Sequence, residues 1–219
     1  MSRFISSLLL FGISLTLFGQ RAMDPELEEE VDFTPRDFSV AYNLVNAGTS
    51  LLNANRNTHE IQFSSTLYRY LLVIDFGTDD HQRGELTDYT TTGQYFRAGI
   101  DRNFVNDISS GNVLALGIRY ARSYFENELN HTLVQSIGEA SINYQNDELK
   151  ARWFELNVNL RGKIVSNLYA GFTLRWQTFR KLRGEGTLTA FEIPGFGTTR
   201  RNNSTAFDYY IMWRIPFRE

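Results

Sequence analysis

From residue 37 onward the dominant spacing of apolar side chains is every second position. That is the spacing of a strand with one apolar face, because successive side chains leave a pleated strand on opposite sides. Five segments are unbroken. Over 94–102, Phe96, Ala98 and Ile100 alternate with Tyr95, Arg97, Gly99 and Asp101. Over 112–123, Leu114, Leu116, Ile118 and Tyr120 alternate with Ala115, Gly117, Arg119 and Ala121. Over 152–161, Phe154, Leu156, Val158 and Leu160 alternate with Glu155, Asn157, Asn159 and Arg161. Over 168–178 the apolar row is Leu168, Ala170, Phe172, Leu174 and Trp176, against Tyr169, Gly171, Thr173, Arg175 and Gln177. Over 204–217 it runs from Thr205 through Phe207, Tyr209, Ile211, Trp213 and Ile215 to Phe217.

Three earlier segments are weaker. Residues 37–46 place Phe38, Val40, Tyr42 and Leu44 on one face, and 59–67 place Ile61, Phe63 and Leu67 on one face. Residues 69–77 do the same with Tyr70, Leu72, Ile74 and Phe76, although Leu71 and Val73 blur the alternation. Eight strands of roughly 9 to 14 residues result, against the about 9–11 residues that a tilted strand needs to cross a bilayer. Connections at 67–69, 103–111 and 162–167 are short, whereas those at 47–58, 78–93, 124–151 and 179–203 are long. Short turns at one end and long loops at the other are the asymmetry of outer-membrane barrels. The expected fold is all-β: an eight-stranded antiparallel transmembrane β-barrel over 37–217, with short periplasmic turns and long external loops.

Period two leaves open which face points inward. A soluble barrel buries its apolar face, whereas a membrane barrel turns it to lipid. The other face carries Arg97, Asp101, Arg119, Glu155, Arg161, Arg175, Asp208 and Arg214, interleaved with glycines. Both signs together with small residues suit a narrow, ion-paired lumen. Arg97, Arg119, Arg161 and Arg175 are expected to pair with Asp101, Glu155 and Asp208. Tyr120, Trp176, Trp213 and Phe217 lie toward strand ends on the apolar face, as an interfacial aromatic girdle requires. The last strand, Tyr209-x-Ile211-x-Trp213-x-Ile215-x-Phe217, is similar to the signal read by the barrel-assembly machinery, although Arg218 and Glu219 follow it.

The N-terminal residues supply an address. Arg3 precedes the apolar run Ile5 to Phe18, which has the length of a signal-peptide core and is short for a membrane helix. A signal peptide over 1–19, cleaved between 19 and 22, is expected. The acidic run beginning Asp24-Pro-Glu-Leu-Glu-Glu-Glu makes 20–36 a disordered periplasmic segment. The protein is thereby expected in the outer membrane, in contact with outer-membrane lipid and lipopolysaccharide.

Composition removes other classes. Lys+Arg 22 against Asp+Glu 25 gives a net charge of −3, so no basic face for nucleic acid is expected. There is no cysteine, which excludes disulfides, thiolate metal sites and a thiol nucleophile. Seventeen Phe, 11 Tyr and 3 Trp against 4 Pro favour strands.

The chain resembles a family of small Gram-negative outer-membrane β-barrels catalogued as a domain of unknown function. The resemblance covers about residues 36–217. It rests on Tyr89-Thr-Thr-Thr-Gly-Gln-Tyr-Phe-Arg-Ala-Gly-Ile-Asp101, Leu116-Gly-Ile-Arg-Tyr120, Trp153-Phe-Glu-Leu156, Asn167-Leu-Tyr-Ala-Gly-Phe172 and Ile193-Pro-Gly-Phe-Gly197 in that order. It implies a barrel and no known activity, so no catalytic residue, cofactor or metal ligand is carried over.

Direct candidates for chemistry are sparse. His59, His81 and His131 fall in or beside expected loops, with no metal-binding spacing. There is no nucleophile elbow and no phosphate loop. The surface open to a small ligand or protein is the external loops, with His81, Arg180, Lys181, Arg183 and Phe196 as candidate contacts; the alternatives are a Pro-Gly turn that buries Phe196 under neighbouring loops and cations that serve solubility alone. The leading expectation is a non-enzymatic structural or binding role. Alternatives are a membrane-embedded lipid-modifying enzyme using His81, Asp79 or Asp80, and a soluble lipocalin-like carrier.

Overall fold

A computed structural model describes residues 33–84, 87–135 and 138–217. The expected signal peptide, and the acidic segment up to residue 32, lie outside the described residues. The elements are β1 (Pro35–Asn43), α1 (Leu44–Leu52), β2 (Arg56–Leu67), β3 (Tyr70–Arg83), β4 (Thr87–Asn103), β5 (Val113–Gln135), β6 (Gly138–Val165), β7 (Leu168–Arg183), β8 (Glu192–Ile193), β9 (Gly197–Thr198) and β10 (Asn203–Pro216). β1 to β7 and β10 form one closed antiparallel ring, and β8 and β9 form a separate small hairpin. The ring closes where β1 meets β10, from Asp37↔Pro216 to Asn43↔Tyr210. Pro35 and Arg36, expected in the acidic segment, already belong to β1.

The apolar face points outward. Ile118, Leu174 and Trp213 are 62%, 49% and 53% exposed, and Leu72, Ile74, Phe76, Leu116, Phe154 and Phe207 share this outer wall. The polar alternates are buried inside. The blurred segment at 69–77 follows the same rule. Leu71 and Val73 point inward and pack with Val113 and Ala115 at the end of the barrel that carries the short turns.

Four expectations about connections are corrected. The first strand stops at Asn43, not 46, because the Asn43 side chain caps α1, accepting from the amides of Val45 (3.0 Å) and Asn46 (3.2 Å). That makes 44–52 a helix rather than loop. Residues 78–83 and 87–93 are strand, paired from Thr78↔Gln94 to Arg83↔Tyr89. Likewise 124–135 and 138–151 are one long hairpin arm, interrupted by a bulge between Phe125 and Asn127. β7 continues to Arg183, and the rest of the expected 179–203 loop holds the small hairpin. The physical reason is common to these arms. Pairing continues past the apolar belt, but the outward residues become Thr78, Asp80, Thr92, Glu126 and Glu148. The hydrophobic period vanishes while the backbone ladder does not.

At the opposite end the turns are tight. Tyr68 and Ser166 adopt left-handed backbone, with φ of 50° and 45°. In the 104–112 turn the Asp107 carboxylate accepts from the Ser109 hydroxyl and from the amides of Ser109 (3.1 Å) and Ser110 (3.3 Å). The Ser109 hydroxyl first, then these amides, hold it below the usual carboxylate range.

Candidate functional site

The ring's alternation brings charges from seven strands into one buried layer. Its hub is Glu60 on β2. One carboxylate oxygen takes Arg97 Nη1 at 2.6 Å and the Tyr95 hydroxyl, and the other takes Arg175 Nη2 at 3.1 Å and the Tyr210 hydroxyl. Arg97 reaches on to Glu155 at 2.9 Å. Arg119 bridges Asp75 at 2.7 Å and Asp101 at 3.1 Å. Arg175 is the most contacted cation, with Asp208 at 2.8 Å, Asp75 at 3.6 Å and Glu155 at 3.8 Å besides Glu60. Trp153 Nε1 and Gln177 Nε2 donate to Glu155 at 2.7 and 3.0 Å. Buried charges need this density of partners, because an ion taken from water and left alone costs several kcal/mol.

All eight residues expected in the lumen face inward. Arg97, Asp101, Arg119, Glu155, Arg175 and Asp208 meet in the central layer. Arg214 lies at the short-turn end, paired with Asp37 at 2.6 Å. Arg161 corrects an expectation. It pairs with no carboxylate among the described residues, donates instead to the Gly111 carbonyl at 3.0 Å, and lies 5.7 Å from the Tyr169 ring centroid. Asp101, one of the three carboxylates expected as partners, is taken by Arg119 and by Asn159 Nδ2 at 2.7 Å. Glu60, Asp75, Tyr95, Gln177 and Tyr210 were not singled out from the sequence. Each sits on the polar face of its strand, and the signal was there: Glu60 precedes Ile61, and Asp75 lies between Ile74 and Phe76. Tyr120, Trp176, Tyr209, Trp213 and Phe217 lie on the outer wall.

Above the charged layer sits a lid. In Ile193-Pro194-Gly195-Phe196, the Phe196 amide donates to the Ile193 carbonyl at 3.0 Å and Gly195 has φ 79°. Pro followed by a left-handed Gly is the signature of a type II turn. Glycine is required twice over, since a Cβ at 195 would strike the Tyr95 ring at 2.6 Å. The turn dips into the barrel, where the Gly195 carbonyl accepts from Arg97 Nη2 and Gln177 Nε2, both at 2.9 Å. Phe196 is 3% exposed, between Trp153 and Phe179, with ring centroids 5.7 and 5.6 Å away. It is therefore a lid anchor rather than an exposed contact. Glu192 ties the hairpin to the wall through Arg56 at 3.3 Å and His81 at 3.5 Å.

His81 thus points to the mouth and faces Glu192. Asp79 is engaged by Arg56 at 2.9 Å and the Thr58 hydroxyl at 2.6 Å, and Asp80 lies on the opposite face of β3. His81 and Asp79 are thus linked through Glu192 and Arg56, and Asp80 lies off that cluster. Lys181 and Arg183 are exposed on the outer wall, and Arg180 is placed by its backbone in β7. Between α1, β10 and the lid a polar crevice of about 290 Å³ opens, lined by Asn46, Arg56 and Asp79 and, from the charged layer, by Glu60, Arg97 and Arg175. Deeper in, near Asp101, Arg119 and Asn159, the free volume is about 30 Å³. That is room for one water, not a path.

The whole chain, residues 1–219, matches the family described as Domain of unknown function (DUF6048), and the chain belongs to that family. No curated protein and no solved structure matches it.

Proposed function

We propose that this member of the DUF6048 family is an integral outer-membrane barrel with a sealed lumen, acting through its lidded outer end as a structural or binding protein. The observation that carries the reading is the inverted wall: apolar side chains outside, paired charges inside. In water such an arrangement exposes large apolar residues on seven of the eight ring strands and buries ions, each against its transfer preference. Against lipid the same arrangement is favourable, and a closed ring leaves no backbone group unpaired at an edge. The belt also has the right height. From Phe207 on β10 to Phe217 just past its end, whose amide still donates to the Arg36 carbonyl at 2.9 Å, the outward row spans ten residue steps. At ~3.3 Å per residue and a tilt of ~40°, it covers ~25 Å, the height of the apolar band of outer-membrane barrels. An interior filled by arginines and carboxylates gives a lipophilic cargo no apolar cavity, which weighs against the soluble-carrier alternative.

The expected signal peptide would deliver the chain to the periplasm. Insertion by the barrel-assembly machinery then puts both termini and the tight turns inside, and α1, the long hairpin arms and the lid outside. The partner-binding surface is the outer mouth, with the 290 Å³ crevice as its most concave part. The test is fractionation followed by electrophoresis with and without boiling. Detergent-extracted outer-membrane protein whose mobility changes on heating is the expected result. Soluble periplasmic protein with no heat-dependent shift would overturn the reading.

A further inference from the structure

Five cations crowd one patch of the outer wall just beyond the apolar belt. The pairing register sets Arg122 opposite Arg152, and Arg152 opposite Lys181, on the neighbouring strands β5, β6 and β7. One step further out, Tyr124 lies opposite Lys150, and Lys150 opposite Arg183. All five cations are exposed, and a crevice of about 120 Å³ opens among them. Like charges directly opposite one another on a sheet repel, yet here two rows of them are stacked. Among the described residues no ion pair engages Arg122, Arg152, Lys181 or Arg183. Lys150 pairs with Glu148 at 3.4 Å, with both side chains largely in solvent, and Glu126 and Asp147 line the adjoining crevice beyond Tyr124 and Lys150. Arg122 donates to the Tyr120 hydroxyl at 3.0 Å, which fixes its guanidinium against the belt.

The alternation alone would not build this patch. With Trp176 outward, strict period two would send Lys181 inward. β7 carries a bulge: Trp153 opposes Phe179 while the next residue, Arg152, opposes Lys181, leaving Arg180 as the extra residue. Phe179 faces the lid cluster by strict alternation, and the bulge then turns Leu182 toward the same cluster and Lys181 and Arg183 to the outside. Bulges re-aim side chains in this way. Immediately toward the membrane on the same three strands lie Ile118, Tyr120, Phe154, Leu156, Leu174 and Trp176.

We infer that Arg122, Arg152, Lys181, Arg183 and Lys150 form a binding site for the phosphate monoesters of an outer-leaflet lipid, whose acyl chains run down the apolar wall beneath. The inference rests on the outer-membrane reading above and names a ligand class for that surface. The chemistry is a fork of guanidiniums on phosphate oxygens, with ammonium groups as neighbouring point charges. Basic clusters at the membrane boundary bind anionic headgroups in this way. The continuity of the cation rows with the belt selects a membrane lipid over a free anion.

The test uses the full-length folded protein in neutral-detergent micelles, titrated with bisphosphorylated lipid A and with its dephosphorylated form. Bound lipid is counted by native mass spectrometry. The wild type is expected to hold lipid A at least tenfold more tightly than the dephosphorylated lipid. The variant R122Q/R152Q/K181Q/R183Q loses that preference, while R102Q/K163Q at the opposite end of the barrel keeps it. If the fourfold variant loses its heat-dependent mobility shift, R122Q/R152Q and K181Q/R183Q are measured separately, each expected to bind at least threefold more weakly. Equal binding of both lipids by a heat-shifting wild type, or unchanged affinity in the folded variants, overturns the site and leaves the barrel reading intact. Release of the lipid by 10 mM inorganic phosphate overturns the choice of lipid over free anion. A wild type without the heat shift overturns the outer-membrane reading instead.

Discussion

Removing Arg175 isolates the question of whether the lumen is held by charge or by packing. Its guanidinium is 1% exposed and lies within 3.8 Å of four carboxylates. In Arg175→Met, Glu60 and Glu155 keep Arg97, and Asp75 keeps Arg119. Asp208 keeps only Asn43, whose amide donates to it at 2.6 Å. One buried carboxylate is thereby stranded, and breaking a buried pair in this way costs about 3–5 kcal/mol. At about 1.4 kcal/mol per factor of ten, the folded population relative to unfolded falls a hundredfold to several thousandfold. The assay is urea unfolding of the protein refolded into lipid vesicles, followed by tryptophan fluorescence, with the midpoint and slope fitted together. Adding Asp208→Asn removes the stranded charge without removing volume. The double variant is expected to recover at least about 1 kcal/mol, within the coupling range of contacting residues. A double variant no more stable than Arg175→Met would refute the electrostatic account and leave packing as the role of Arg175.

Other outcomes follow from the same geometry. Leu116→Arg and Phe172→Arg put a charge on the outer wall and should each cost about 2–4 kcal/mol in lipid, read as lost heat-shifting protein; unchanged yields would mean that wall meets water. Gly117→Ala drives a Cβ into the Asp101 carboxylate and should destabilise by about 1–3 kcal/mol, measured by the same urea titration, with no loss counting against the packed lumen. Phe196→Ala removes the anchor between Trp153 and Phe179. Amide exchange across 186–202 should then rise at least tenfold while the barrel's unfolding midpoint holds, and a fall of both together would show that lid and wall unfold as one. Purified protein in a planar bilayer should pass no stepwise current, even with 186–200 replaced by a short turn, because the charged layer lies below the lid; large conductance steps would contradict it.

The wall was readable because one periodicity encodes it. Every second residue from Leu114 to Tyr120, or from Phe207 to Phe217, is apolar, and the structure turns those residues outward. The inward alternates could be named from the same count, including Arg97, Glu155 and Asp208. Legibility failed where the signal belongs to the belt rather than to the strand. Beyond Tyr124 and Phe76 the ladders run on, but Glu126, Glu128, Thr78 and Asp80 give no hydrophobic period. The arms therefore read as loops. Asn43 also carried a signal: a cap residue before Leu44-Val45-Asn46 starts a helix, and a strand count that extends through it misses the change of period.

Partner choice inside the lumen was illegible for a different reason. Alternation fixes which face a side chain takes, but not which residues on distant strands meet across the interior. That depends on the stagger of the closed ring, a global quantity. Arg161 and Asp101 look equivalent to Arg119 and Asp101 in one dimension. In the closed ring Arg119 lies within 3.1 Å of Asp101, whereas Arg161 falls toward the short-turn end, beside Gly111 and Met212. Glu60 is the converse case. Nothing within its own strand marks it as a hub, yet closure brings Arg97 and Arg175, 37 and 115 residues away, onto its two oxygens. The order along the axis then follows from burial. The lid carries the apolar cluster of Trp153, Ile193 and Phe196, the tight-turn end carries Leu71, Val73 and Val113, and the ions lie between. Apolar clusters flank the paired charges at the tight-turn end and on the β4 to β6 side of the lid, while the polar crevice beside α1 reaches Glu60, Arg97 and Arg175; where packing excludes water, each pair is stronger and each unpaired charge costlier. On the proposed reading, registering the barrel falls to these residues, and binding to the outer mouth and the cation rows on the wall.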